Sequence, residues 1–182
     1  MTTEHMGRPV LAVDVDGVIS VFGFDQPPDR SEARFEVIDG RVQCIPNAVG
    51  DRLRRLGEHF DLLWASGWES QANEFLCDIL GLPELPFLSF DGKARFGTAD
   101  WKLEPLSLYG RGRPLAWIDD SFDDACRRWA RQRDEPTLLM PTESQVGLEE
   151  VQVEALIAWA KGFGPAQRRR RSGIRTRAQR RG

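Results

Sequence analysis

Val10-Leu11-Ala12-Val13-Asp14-Val15-Asp16-Gly17-Val18-Ile19 decides how this chain is read. The run is rich in β-branched residues and reads as a strand buried on both faces. Such a strand should not end in two carboxylates, because desolvating them is costly unless a cation or hydrogen bonds compensate. Residues 14 and 16 share one face, since strand side chains alternate with period two. Gly17 then allows a sharp turn. The expected result is a carboxylate pair at the carboxyl end of a strand, where open α/β sheets place their ligands. Taken alone, Asp-Val-Asp-Gly is equally an ordinary polar turn. It is not an EF-hand loop, which needs Gly at position six and a preceding helix.

Working outward, Ala33 to Ile38 and Arg41 to Ile45 flank Asp39-Gly40, a two-residue hairpin signal. Pro46-Asn47 opens a helix with Val49, Leu53, Leu56 and Phe60 at helical spacing. Strand signals follow at 61–65, near 87–90, at 115–118 and at 136–140. Helical signals cover 69–80, 121–133 with Ser121 as N-cap, and 147–161. Residues 101–109 read as a short helix interrupted by Pro105. Strands alternating with helices predict right-handed crossovers and a parallel, three-layer α/β domain over residues 9–161. Residues 1–8 read as a flexible N-terminus. Residues 162–182 read as a disordered tail, being rich in Gly, Pro, Gln and Arg.

Four segments in order carry a family resemblance. Val13-Asp14-Val15-Asp16-Gly17-Val18 resembles the first motif of the haloacid dehalogenase-like phosphohydrolases, an apolar strand followed by Asp-x-Asp-Gly. Leu62-Leu63-Trp64-Ala65-Ser66-Gly67 resembles the second, a strand ending in Ser or Thr. Lys102 resembles the third, a lone lysine, with Lys93 as its rival. Leu115-Ala116-Trp117-Ile118-Asp119-Asp120 resembles the fourth, a strand ending in acids. The resemblance implies a Rossmann-like parallel sheet. It also implies a Mg2+-dependent phosphatase acting on a phosphate monoester through an aspartyl-phosphate.

On that resemblance Asp14 is the nucleophile and Asp16 the acid that protonates the leaving alkoxide and later activates water. Ser66 and the Gly67 N–H would hold the transferring phosphoryl group, and Lys102 would pair with it and with Asp14. Asp14, the Asp16 carbonyl, Asp119 and Asp120 would hold Mg2+, with Asp119 favoured over Asp120 as direct ligand. Asp123 or Asp124 would support that site, unless they only match the helix dipole. Trp68 would line the substrate entrance, or simply pack.

The family takes specificity from cap insertions. Here 49 residues separate Asp16 from Ser66 and 35 separate Ser66 from Lys102. The predicted elements use most of both gaps, so no full cap domain is expected. The hairpin would act as a flap over an otherwise open site. Openness suits a large substrate such as a nucleic-acid end, and residues 64–69 with Trp101-Lys102 also look like small domains of this family associated with bacterial RNA repair.

The formal charge of −3 conceals an asymmetry, because residues 168–182 hold eight arginines and no acid. The body is therefore acidic, which argues against a general nucleic-acid surface and suits recruitment of a divalent cation. The alternative function is a non-catalytic module that binds nucleic acid through this tail. Cys44, Cys77 and Cys126 have no metal or disulfide spacing. Reduced thiols, with no signal-like N-terminus and no apolar run of membrane length, give a cytoplasmic expectation.

Overall fold

The computed structural model describes residues 8–163. The expectations for the first seven residues and for the arginine-rich segment from 164 onward lie outside the described residues. The elements, in chain order, are β1 (Val10–Val13), β2 (Ala33–Ile38), β3 (Arg41–Pro46), α1 (Val49–Gly57), β4 (Asp61–Trp64), α2 (Gln71–Leu80), a 3-10 turn (Asp100–Lys102), α3 (Leu103–Tyr109), β5 (Leu115–Asp119), α4 (Asp124–Gln132), β6 (Thr137–Pro141) and α5 (Glu150–Lys161).

Four strands form one parallel sheet in the order β4-β1-β5-β6. The protein is thus α/β, compatible with a Rossmann-like fold. Alternation along the strands divides the core between the two faces. Leu11, Val13, Leu62, Trp64, Ala116 and Ile118 pack on one face with residues of α1, α2 and α5. Val10, Ala12, Leu63, Leu115 and Trp117 pack on the other with Leu106 of α3 and Cys126 of α4. β1 is buried on both sides, so its four residues are all apolar. Burying each large apolar side chain of this kind contributes roughly 1.5–3 kcal/mol.

The hairpin β2–β3 forms as expected, in a separate two-stranded antiparallel sheet. Asp39 and Gly40 both take positive φ, 47° and 72°, which the tight hairpin turn demands. Three expectations need correction. No strand forms at 87–90: Phe87 makes a single bridge to Trp64, and Pro86 has no N–H to extend a ladder. Pro105 does not interrupt α3, because it falls in the first turn, where a backbone N–H has no intrahelical acceptor. The N-cap of α4 is Asp123, whose carboxylate accepts from the Cys126 N–H at 2.9 Å, not Ser121. All three cysteines are free and buried. Among the described residues no helix is long and apolar enough to cross a membrane.

Candidate functional site

Register explains why distant residues meet. Val13 pairs with Trp64 on one side and with Ile118 on the other. The next residues, Asp14, Ala65 and Asp119, therefore emerge level at the carboxyl edge of the sheet, and Ser66 and Asp120 follow. The ladder continues one step past β1, with Asp14 N donating to Ile118 O at 3.1 Å and Ala65 N to Val13 O at 2.8 Å. The backbone of Asp14 is thus clamped between its neighbours.

Lys102 lies at the centre of the cluster, 2% exposed. Its ammonium is 2.8 Å from Asp14 Oδ2 and 2.6 Å from Asp119 Oδ2. Asp14 Oδ1 accepts from Val15 N at 2.8 Å. Asp119 Oδ1 accepts from Ser121 N at 3.0 Å, and Asp120 Oδ1 from the Ser121 hydroxyl at 2.7 Å. Lys93, the rival lysine, is exposed and pairs with neither Asp14 nor Asp119, so Lys102 is the residue in place.

Electrostatics follow from the inventory. Burial alone would depress the Lys102 ammonium, but Asp14 and Asp119 outweigh it and hold the group above its ordinary value. One ammonium cannot neutralise two buried carboxylates. Burial, reinforced by the charge on Asp14 and opposed by Lys102, pushes Asp119 up to about 6. Asp16 is also raised, by burial first and then by Asp14. Its Oδ2 accepts a hydrogen bond from the Trp68 indole N–H at 3.0 Å, which opposes the shift.

Asp14, Asp119 and Asp120 each offer an oxygen within 4.8 Å of the others. This is a set of hard donors of the type that suits Mg2+ or another hard cation. Both oxygens of Asp119 already accept hydrogen bonds, whereas Asp120 Oδ2 accepts none among the described residues. Asp14 is engaged in the same way, by Val15 N and Lys102, and each of these oxygens keeps a lone pair for a cation, so Asp119 belongs to the donor set together with Asp120. Gly17 makes room for Asp120. A Cβ there would lie 2.2 Å from Asp120 Oδ2, and φ is +73°.

A cavity of about 520 Å³ opens above these groups. Asp14, Asp16, Ser66, Gly67, Trp68, Lys102, Asp119 and Asp120 all line it, so these eight residues reach one space. Ile38, Asp39, Arg41 and Gln43 of the hairpin line the same space. Asp123 and Asp124 do not line it, and Asp123 acts as the α4 cap.

Sequence reasoning missed several participants. Ser121 orients both terminal acids. Buried Thr142 donates its hydroxyl to Gly17 O at 2.8 Å, pinning the turn after Asp16. Trp68 lines the cavity, and its indole N–H also donates to Asp16, a contact the sequence does not show. The Ser121 contacts are local, one and two positions away, whereas the Trp68–Asp16 and Thr142–Gly17 contacts join residues 52 and 125 positions apart and have no local sequence signal.

The chain matches no family model, and no curated protein matches it. Among solved structures it is similar to a hypothetical protein from Xanthomonas campestris, with 14% identity and a TM-score of 0.46, over 90% of this chain and 88% of that one.

Proposed function

We propose that this protein is a Mg2+-dependent phosphohydrolase of the haloacid dehalogenase type, acting on a phosphate monoester through an aspartyl-phosphate on Asp14. The observation that carries the reading is the convergence, in one cavity, of four carboxylates, a buried lysine and Ser66-Gly67, drawn from the ends of three adjacent strands and the turn before α3. That set meets the needs of phosphoryl transfer: a nucleophile, a proton source and positive charge for the phosphoryl oxygens.

The Asp14 carboxylate attacks phosphorus, and the bond to the leaving oxygen breaks. Asp16 supplies the proton that oxygen needs, and its raised proton affinity suits it to hold that proton beforehand. The Trp68 N–H then stabilises the resulting Asp16 carboxylate. In the second half-reaction Asp16 takes a proton from water as the water oxygen attacks phosphorus. Inorganic phosphate leaves and free Asp14 returns. Lys102 offsets charge on Asp14 and the phosphoryl oxygens throughout, while the Ser66 hydroxyl and Gly67 N–H orient the group. Asp14, Asp119, Asp120 and the Asp16 carbonyl would hold Mg2+, which supplies Lewis-acid charge to bring two anions together. Placed beside the site, the hairpin serves as a flap in place of a cap domain.

The test is release of phosphate from p-nitrophenyl phosphate. It should require Mg2+ and fall at least about a thousandfold in Asp14→Asn. Equal activity in wild type and variant, or activity indifferent to chelator, would overturn the proposal.

A further inference from the structure

The reaction above uses only the deep end of the cavity. Its outer part is built differently. Two arginines line it, Arg41 at the start of β3 and Arg95 in the loop between α2 and the 3-10 turn. Both are exposed, and neither joins an ion pair among the described residues, unlike Arg52 and Arg55, which Glu150 engages. The deep end is dominated by carboxylates, so a second anionic group on a ligand would be repelled there and drawn to these two guanidinium groups.

Neither arginine sits on an unanchored segment. The hairpin is tied to the chain just after Asp16 by Val21 N to Cys44 O at 2.8 Å and by the Ser20 hydroxyl to Gln43 Oε1 at 2.6 Å. The loop bearing Arg95 packs on the phosphoryl turn, where a Cβ on Gly67 would lie 3.1 Å from Ala94 Cβ. Aromatic side chains line the same cavity. Trp68 is fixed by its bond to Asp16. Since Asp16 must face the leaving oxygen, the indole ring flanks the leaving group. Phe22 and Phe96 line the same space while 41% and 85% exposed. Aromatic faces beside guanidinium groups suit a planar ring bearing a phosphate. The volume falls within the ~300–1,000 Å³ of small-molecule sites.

We infer that the substrate is a nucleotide carrying two phosphates, either free or at the end of a strand. The phosphomonoester enters the deep end, the nucleoside lies against Trp68, and Arg41 and Arg95 bind the second phosphate. The inference rests on the hydrolase reading for the identity of the leaving group, but its binding geometry can be measured separately.

Binding is measured by calorimetry on Asp14→Asn, with adenosine 3′,5′-bisphosphate, adenosine 5′-monophosphate and a 5′-phosphorylated dinucleotide as probes. The two-phosphate ligands should bind about tenfold more tightly than the monophosphate, as expected for charge-assisted contacts. Arg41→Ala and Arg95→Ala in that background should each remove most of that preference, and Trp68→Leu should weaken both two-phosphate ligands about tenfold. Arg131→Ala, an exposed change outside the cavity, should leave the preference intact. Tighter binding of the free bisphosphate or of the dinucleotide identifies the source of the second phosphate. Equal affinity for mono- and bisphosphate, or a preference unmoved by both arginine changes, overturns the inference. Wild-type phosphate release is then followed on the same compounds. No release from any ester, with the binding preference intact, sinks the hydrolase reading alone. Release from simple esters without any two-phosphate preference sinks the nucleotide inference alone.

Discussion

Lys102 is a charged side chain in a nearly closed space, held by Asp14 and Asp119. Removing one partner from such a cluster leaves the others buried and unmatched. Lys102→Met should therefore cost about 3–5 kcal/mol of stability by urea denaturation, as well as activity. Gly17 offers a second single-residue test. Gly17→Ala forces a methyl onto Asp120 in a backbone conformation that alanine avoids. It should destabilise by at least about 1 kcal/mol and abolish Mg2+-induced stabilisation. A variant that still gained full thermal protection from Mg2+ would show that Asp120 does not bind the ion.

Among the elements, α4 separates what local sequence can show from what it cannot. A helix is expected over 121–133 and forms over Asp124–Gln132, because Ser121 and Asp123 are both good cap residues and the choice depends on where β5 ends. In the fold Ser121 is drawn to Asp119 and Asp120, leaving Asp123 to cap. Asp123→Ala should cost about 1 kcal/mol in denaturant melts, while Ser121→Ala should act mainly on metal affinity and turnover. The hairpin was legible because Asp39-Gly40 encodes its turn locally. The segment at 87–90 reads as a strand because Leu88 and Phe90 pack inward in alternation, yet only Phe87 bridges to the sheet and no ladder forms.

At the scale of the whole molecule, the order of the site segments could be read from the chain, but their meeting depends on strand register. The contributions of Thr142, Arg41 and Arg95 are tertiary and left no local mark. The assembled acids give the protein a pH signature. Asp119 rises to about 6, above its unfolded value near 3.8, so its contribution to stability is present in acid and is lost as pH climbs through 6. A bound cation offsets that loss only where the carboxylates are ionised. Near pH 7.5, Mg2+ at about 100 times its Kd should add about 2.7 kcal/mol, or roughly 5–10 °C in Tm. The increment should shrink steadily as pH falls through about 6, and differential scanning fluorimetry with and without chelator would read it directly.

Proline stands at both flanks of the main sheet. Pro86 lies beside β4 and cannot donate to an incoming chain, and Pro141 closes β6. Imino residues at these borders discourage fibre-like growth by edge addition. At those two positions an added strand would find no backbone donor.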